Sequence, residues 1–422
     1  MQAIFRQVAN EGRRMLTEPE AKAAVAAYGI RVPETVVVTS ASEAAHAAGR
    51  LLESSERVVV KLLSKTVSHK SDAGGVVLDI ATAAQAGKAA KAIEASVRKR
   101  VPGTAIDGYA VQPMVVRKQA QELILGISRD PMFGPVILFG AGGTAVEVLN
   151  DTAIGLPPLD DVLAGDLIDR TRVGRLLAGY RGRKPADRAA IVAALDGLSR
   201  MVVDFPCLAS LDINPLLADS EGAIALDARI EIDPERVDDA APNPALAIRP
   251  YPAGWSREFR SESMSFHIRP IMPADVTLYP EFLARISPND LRLRFLSPRK
   301  TFPHQMLKRL TQLDYDRDIA FVAIEAGTGA LAGIGRLSCD PDHESGEYAL
   351  LVRTDLQGHG LGWELLKQII DYAKADGVGR IQGIVLNENR NMLKMCREFG
   401  FSIGFNPDEP GLSAATLNLT PR

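Results

Sequence analysis

The chain has 422 residues, more than one ordinary core holds, so the length predicts two or three folded units. Its hydrophobic content of 46% and charged content of 24% are typical of globular proteins and exclude general disorder. The net charge of -3, without a polybasic block, excludes a dedicated nucleic-acid-binding protein.

The three cysteines, Cys207, Cys339 and Cys396, have no paired spacing, which excludes a zinc ribbon and argues against a disulfide framework. The amino terminus lacks the apolar core of a signal peptide, and no apolar run reaches the roughly 18 to 20 residues that span a bilayer. We therefore predict a cytoplasmic protein without membrane association, and we expect a homo-oligomer.

The first 232 residues are predicted to form α/β layers, because β-branched apolar runs alternate with alanine-rich stretches of helical period. Helices are predicted at 18–28 and 84–97. Strands are predicted at 35–38, 58–63, 76–80, 123–127 and 136–139.

Lys61 lies near the end of an apolar strand and is followed by a polar loop that contains His69, Gly74 and Gly75. A lysine in this position can neutralise nucleotide phosphates, and the two glycines allow the loop to close over them. The same pattern also fits a long hairpin connection without a ligand.

Three further segments follow in order: YAVQPMV at 109–115, ELILGISRDPMFGPVILFGAGGTAVEVL at 122–149 and ASLDINPLLADSEGAIALDARI at 209–230. With the lysine and its loop, they resemble the ATP-grasp domain of NDP-forming acyl-CoA synthetases and, more distantly, the β subunit of succinyl-CoA synthetase. The resemblance covers about residues 17–230. It implies an ATP-grasp domain of two α/β subdomains, which we place at 1–232.

The resemblance also implies roles for single residues. Lys61 would contact ATP phosphate, while Val111, Gln112 and Met114 would form the hinge against adenine. ATP is therefore an expected ligand of this half of the chain.

Magnesium would be held by Asn214 and Asp227, since Mg²⁺ prefers hard oxygen ligands and nucleotide phosphates complete its shell. Alternatively, Asp212 and Asn214 make an Asx-type turn before a proline.

His69 resembles the histidine through which related synthetases pass phosphate. A complete synthetase also needs a Rossmann-type CoA-binding domain and a ligase domain, and neither is visible in this sequence. Acyl-CoA synthesis would therefore require a separate CoA-binding/ligase α subunit as partner.

A proline-rich stretch at 233–262 is predicted to be a linker, because its prolines interrupt helices and favour extended backbone. Beyond it, strands are predicted at 267–270, 319–325, 331–339, 347–352 and 381–386. A helix is predicted at 362–375, with an apolar side of leucine and isoleucine.

The glycine loop, residues 357–362, precedes this helix and fits the pattern Q-x-x-G-x-G at Gln357, Gly360 and Gly362, with a further glycine at Gly358. Without side chains, backbone N–H groups can approach a pyrophosphate, whose charge the helix dipole favours. Alone, such glycines could equally make a turn.

The sequence around the glycine loop resembles the GNAT acetyltransferase superfamily. At the expected distance the loop is followed by a strand and then by NENRNMLKMCREFGF at 387–401, the second signature of that family. We place this α/β domain at 263–422. The resemblance implies a mixed central sheet, splayed between strands 347–352 and 381–386, with acetyl-CoA in the gap.

The pantetheine arm of acetyl-CoA would pair with strand backbone from Leu350 to Val352, as an added strand would. Asn389 stands where the family has an amide that contacts this arm.

Glu347 is the candidate general base, because attack on a thioester needs a neutral amine and related lysine acetyltransferases carry a glutamate here. Apolar neighbours should raise the pKa of its carboxyl group. A solvated strand-end role is the alternative, with His343 and Glu344 as substitute bases.

Cys396 occupies the position at which many family members have a tyrosine that protonates the leaving thiolate. A thiol of pKa about 8.5 could donate that proton, although a buried cysteine also serves as plain packing.

The fusion resembles bacterial protein lysine acetyltransferases with a regulatory synthetase-like domain. The predicted activity is direct transfer of acetyl from acetyl-CoA to a protein lysine, with an acyl-CoA synthetase as one candidate acceptor. The alternatives are an ATP-grasp β subunit of an acyl-CoA synthetase and a sensor of ATP and acyl-CoA.

Overall fold

The computed structural model describes residues 1–66, 73–143, 151–179, 183–261, 264–298, 301–405 and 410–419. The chain divides into two compact units, Met1–Ile248 and Arg249–Arg422. Within the described ranges, no helix combines the length and apolarity that crossing a membrane requires.

The first unit begins with two helices, α1 (Gln2–Asn10) and α2 (Glu18–Ala26). Helix α2 starts with a capping box, in which the Glu20 carboxylate accepts a hydrogen bond from the Thr17 backbone N–H at 2.7 Å. Arg13 pairs with the same carboxylate at 2.9 Å, so the start of α2 is held from both sides.

A four-stranded antiparallel sheet, covered by two helices, forms one subdomain of this unit, with strand order β1-β4-β2-β3. Its elements are β1 (Val36–Val38), α3 (Ala41–Leu51), β2 (Val58–Leu63), β3 (Val76–Ile80), α4 (Ala83–Arg100) and β4 (Gly108–Pro113). Alanines of α3 and α4 let both helices lie close to the sheet, and their core includes Val60, Ile93 and Val111.

A second sheet forms the other subdomain, in the order β10-β8-β5-β6-β7 with β9 paired to β8. Its elements are β5 (Gln121–Asp130), β6 (Gly134–Ala141), β7 (Thr152–Gly155), α5 (Asp161–Asp169), α6 (Arg172–Leu177), α7 (Arg188–Asp204), β8 (Leu208–Asp219), β9 (Gly222–Ala225) and β10 (Arg229–Ile232). Phe5, Val25, Phe139 and Leu195 belong to its core, which also joins α1 and α2 to this sheet.

The second unit is built on one eight-stranded sheet in the order β11-β12-β13-β14-β15-β16-β18-β17. Its strands are β11 (Arg257–Arg260), β12 (Ser265–Pro270), β13 (Asp318–Glu325), β14 (Leu331–Cys339), β15 (Ser345–Val352), β16 (Arg380–Leu386), β17 (Ser402–Phe405) and β18 (Leu412–Asn418). Its helices are α8 (Tyr279–Ala284), α9 (Pro288–Phe295), α10 (His304–Thr311), α11 (Leu361–Ala375) and α12 (Arg390–Glu398). The predicted linker, 233–262, contains the boundary between the units as well as β11.

Each face of this sheet carries its own core. On one face, Leu365, Leu366 and Ile369 of α11 pack on the strands, which confirms the predicted apolar side of this helix. On the other face, Phe282 and Leu291 of the helices before β13 pack on the strands. β15 and β16 run parallel, whereas the other neighbouring strands of this sheet run antiparallel, which confirms the predicted mixed α/β sheet.

Candidate functional sites

The sheet of the second unit divides between β15 and β16. These strands run parallel and pair only from Ser345 with Arg380 to Glu347 with Gln382. Beyond this point, which we call the fork, β15 continues through Leu350 and Val352 without pairing with β16, while β16 keeps its pairing with β18 on its other edge. The edge of β15 that faces the gap is therefore available to an added strand or to an extended ligand.

The glycine loop leads from β15 into α11. Gly358 and Gly360 have φ values of +83° and +85°, which side chains rarely adopt, so both glycines are required by the backbone. Gly360 is the N-cap, and it has no side chain that could cap the helix. Among the residues that the structure describes, no side chain accepts a hydrogen bond from the first N–H groups of α11, so these groups can bind an anion.

The other two predicted residues of the loop differ from these glycines. Gln357 has an ordinary extended backbone after a short 3-10 turn. A Cβ at Gly362 would meet the Val352 side chain at an ordinary 3.7 Å. Packing within the protein therefore does not require glycine at position 362. Close approach of a ligand to the backbone would be a separate reason for glycine at this position.

At the fork, the Tyr348 ring lies against Gly383 of the neighbouring strand, where a Cβ would come within 2.5 Å of the ring. The Tyr348 hydroxyl lies 3.0 Å from the Cys396 Sγ. Burial raises the pKa values of both groups, so both are protonated at neutral pH. Cys396 is 0% exposed, which fits a packing role, and Tyr348 is a residue that the sequence analysis missed.

Replacing Gly383 by alanine should force the Tyr348 ring away from the fork and break its contact with Cys396. We expect a loss of about 1–3 kcal/mol in the free energy of unfolding, typical of overpacking. Gly404→Ala is the control, because a Cβ there meets only the Ala414 backbone oxygen at 3.9 Å. Urea unfolding measures both, and equal losses would refute this account of Gly383.

Glu347 lies at the last position where β15 pairs with β16, opposite Gln382 of β16 and Ser338 of β14. Its surroundings differ from the expected apolar ones, because the residue is exposed. Its charge acts on Arg294, opposing the lowering of that guanidinium's pKa by burial. Glu347 therefore stands at the mouth of the fork, on the face away from α11.

Asn389 has a structural task in addition to the predicted one. Its side-chain oxygen accepts a hydrogen bond from the Met392 backbone N–H at 3.2 Å and so caps α12. The contact with pantetheine stays a prediction. Since the side-chain oxygen caps α12, the NH2 group of the Asn389 amide would make that contact.

In the first unit, a buried charge cluster joins the two subdomains. Lys61 Nζ lies 2.6 Å from Glu18 Oε1 and 3.4 Å from the Leu226 carbonyl oxygen. Lys22 Nζ lies 2.8 Å from the same carboxylate and 2.5 Å from Gln112 Oε1. Burial lowers the pKa of Lys22, an effect that the negative charge of Glu18 opposes. Lys22 and Glu18 were missed, although their i,i+4 spacing could have suggested an ion pair.

The predicted hinge residues occupy different environments. Val111 is buried in the core of the four-stranded sheet, and the Gln112 side chain contacts Lys22. The Met114 backbone N–H donates to the Arg57 carbonyl at 2.9 Å. Contact of these residues with adenine stays a prediction.

The two predicted magnesium ligands occupy neighbouring backbone positions, Asn214 on β8 and Asp227 just after β9. The Leu226 N–H donates to the Pro215 carbonyl at 3.0 Å, which places the residues on either side, Asn214 and Asp227, opposite one another. The Asn214 side-chain oxygen accepts from the Gly143 N–H at 2.9 Å. One carboxylate and one amide oxygen suit Mg²⁺ when phosphates supply further ligands. Among the described residues, no three His, Cys, Asp or Glu side chains form a metal cluster.

The glycines after the predicted phosphate loop have structural reasons of their own. Gly74 has φ +69°, and a Cβ there would come within 2.3 Å of the Ser96 Oγ. The Gly75 carbonyl accepts from the Leu62 N–H at 2.6 Å. His69 and its neighbours at 67–72 lie outside the described residues, so the proposed phosphate carrier stays a prediction.

Residues 7–232, more than half of the chain, match the family described as the ATP-grasp domain, and residues 290–401 match the acetyltransferase (GNAT) family. The chain therefore belongs to the ATP-grasp family and carries a GNAT acetyltransferase domain after its ATP-grasp domain. ATP-grasp domains bind ATP, and GNAT domains use acetyl-CoA.

The relatives of the first part are acyl-CoA synthetases. The β subunit of an ADP-forming acetate–CoA ligase I from Pyrococcus furiosus is 36% identical over 217 residues, which are 51% of this chain and 91% of that subunit. A 4-hydroxybutyrate–CoA ligase from Nitrosopumilus maritimus is 38% identical over 229 residues, which are 54% of this chain. The aligned part spans only about a third (32%) of that ligase.

A solved structure resembles the same part. It is a dinucleotide-forming acetyl-coenzyme A synthetase 1 from Ca. Korarchaeum cryptofilum, in complex with coenzyme A and Ca-AMPCP. It is 35% identical and superposes with a TM-score of 0.52, covering 55% of this chain and 99% of that one.

For the second part, a protein named an acetyltransferase from Pseudomonas aeruginosa is 31% identical over 144 residues, 34% of this chain and 77% of that protein.

Proposed function

We propose that the second unit transfers an acetyl group from acetyl-CoA directly to the side-chain amine of a protein lysine. The observation that carries this proposal is the fork, where β15 presents an unpaired edge after the exposed carboxylate of Glu347 and leads through the glycine loop to the start of α11. The pyrophosphate would bind the first N–H groups of α11, and the pantetheine arm would lie along Leu350 to Val352.

Acetylation of a lysine ammonium removes two protons from the nitrogen and adds one to the sulfur. Glu347 would take the first proton from the ammonium, whose ordinary pKa is about 10.4, directly or through water. The neutral amine then attacks the carbonyl carbon and a C–N bond forms. As the C–S bond breaks, the nitrogen loses its second proton to water. Coenzyme A leaves as a thiolate and gains a proton, for which the protonated Tyr348–Cys396 pair at the fork is the proposed source, and this pair regains its proton from water.

Glu347→Gln should lower kcat/KM for acetyl transfer at least about 100-fold, the usual contribution of a general base. The loss should shrink as the pH approaches the pKa of the amine, since less of the acceptor then needs deprotonation. Glu398→Gln is the control, because it removes an exposed carboxylate at the end of α12 to which no catalytic role is assigned. Release of coenzyme A from acetyl-CoA with a lysine peptide measures the rate. An unchanged Glu347→Gln rate, or an equal loss in Glu398→Gln, would remove Glu347 from the mechanism.

A second function is favoured by the buried cluster around Lys61 and by the similarity to ligase β subunits. We propose that the first unit binds Mg-ATP, with Lys61 at the phosphates and Asn214 and Asp227 at the metal. It would then regulate acetyl transfer, or act as a ligase subunit together with a partner that carries CoA-binding and ligase domains.

Titration of the full chain with Mg-ATP should release binding heat, and Asp227→Asn should weaken this binding about tenfold or more. With a CoA-binding/ligase subunit and radioactive ATP, the ligase hypothesis predicts phosphate on His69 or on that partner. A chain that binds no Mg-ATP would eliminate both roles.

A further inference from the structure

A small pocket opens on the sheet face that also carries Glu347, away from α11. The arginine pocket, as we call it, lies between α8, α9 and the strands β14 and β15, and its polar lining comes from Tyr279, Arg294 and Arg336. Ala349 and Leu351 of β15 form part of its floor. Its volume is about 40 Å³. Since about 10–15 Å³ of such space holds one water molecule, the pocket admits a group the size of a carboxylate.

The two arginines repel one another in these surroundings. Burial and the positive charge of Arg336 both lower the pKa of the Arg294 guanidinium, while Glu347 and Tyr279 oppose this change. Among the residues that the structure describes, neither arginine forms an ion pair with a carboxylate. Arg336 donates one hydrogen bond to the Leu310 carbonyl, and Arg294 lies over the Phe295 ring.

Two partly buried like charges are costly unless a negative charge compensates them. A guanidinium presents its N–H groups in a fixed fork that matches a carboxylate, so two of them can hold one such group firmly. Tyr279, which is 4% exposed, adds a hydroxyl to the same lining. The arginine pocket thus has the charge and the donors of a carboxylate site.

Strand register relates this pocket to the proposed reaction. Arg336 lies opposite Ala349, and Glu347 is two residues before Ala349 on the same side of β15. Two residues along a strand span about 7 Å. A carboxylate bound between the arginines would therefore lie within several bonds of an amine positioned at Glu347.

We propose that the arginine pocket selects acceptors that carry a carboxylate close to the amine. This inference rests on the proposed acetyl transfer and narrows its acceptor class. The carboxylate belongs either to an acidic residue beside the target lysine of a protein or to a small amino acid, and one chemistry serves both.

The test compares matched acceptors with the full-length chain. One pair consists of peptides in which glutamate or glutamine follows the lysine, and the other of 5-aminopentanoate and its amide. We expect kcat/KM to favour the carboxylate member of at least one pair about tenfold or more, and that pair identifies the source. Arg294→Gln and Arg336→Gln should reduce this preference to less than about twofold. Arg309→Gln, which removes an exposed charge on α10, should keep it.

A second measurement separates this proposal from the proposed activity. Calorimetric titration with each acceptor, without acetyl-CoA, should give a tighter dissociation constant for the carboxylate member, and the arginine variants should lose this difference. If no coenzyme A is released with any acceptor, the proposed acetyl transfer is wrong. The titration still shows whether the arginine pocket binds a carboxylate. Equal binding of both members, or a preference that survives both arginine substitutions, would overturn the carboxylate site.

Discussion

Replacing Gly360 by glutamate is expected to weaken the binding of acetyl-CoA about 100-fold. The new carboxylate would lie at the uncapped start of α11, where the pyrophosphate is proposed to bind. Two like charges about 5 Å apart at an effective dielectric constant of 20 repel by about 3 kcal/mol, which corresponds to about two powers of ten in affinity. The added side chain also strains a backbone with φ +85°.

Gly377→Glu is a closely matched control. Gly377 follows the other end of α11, has φ +79° and has no atom within 4 Å of a Cβ. Both variants therefore introduce the same charge and similar backbone strain, but only one lies at the glycine loop. Calorimetry with acetyl-CoA should find near-normal affinity in Gly377→Glu. If both variants bound acetyl-CoA equally well, the glycine loop would not be the pyrophosphate site.

Replacing Glu18 by alanine is expected to cost the first unit about 3–5 kcal/mol of unfolding free energy, the usual effect of breaking a buried ion pair. Glu18 compensates two ammonium groups, Lys22 at 2.8 Å and Lys61 at 2.6 Å. In the variant, the ammonium groups of Lys22 and Lys61 would stay largely buried without this carboxylate. The negative charge of Asp227 would still compensate part of the Lys22 charge.

Glu20→Ala is the control for this prediction. Glu20 lies on the same helix and also pairs with a cation, Arg13, but its side chain is 23% exposed. Loss of a cap and of a partly exposed pair costs about 1–2 kcal/mol. Urea unfolding should therefore show a clearly larger shift of the midpoint in Glu18→Ala. Equal midpoints in the two variants would contradict the special role of the buried cluster.

Much of the local structure could be predicted from the sequence. The strands at 58–63, 76–80 and 331–339 have the predicted bounds, and α11 begins one residue before its predicted start. β-Branched runs and helical periodicity are local properties, so they are readable without knowledge of the fold. Helices α1, α3 and α5 to α10 were not predicted, because their apolar residues pack on segments that are distant in the sequence.

The order of the motifs was also sufficient to predict the two families. The lysine with its glycine loop, the DINPL segment and the later glycine loop predicted an ATP-grasp domain followed by a GNAT domain, and the comparisons confirm both. Residue roles were harder to predict. The environment expected for Glu347 was wrong: alternation along β15 turns this residue to the face away from α11, and its position there is exposed.

By itself, the sequence determined the two families, most strands and the positions of the glycines that precede α11, because these depend on neighbours along the chain. Only the tertiary structure decided which distant side chains meet. Glu18 with Lys61, Tyr348 with Cys396 and Arg294 with Arg336 are separated by 43, 48 and 42 residues, respectively. Such pairs form because strand register and helix packing bring their side chains to one face. The spacing of these residues along the chain does not predict that geometry.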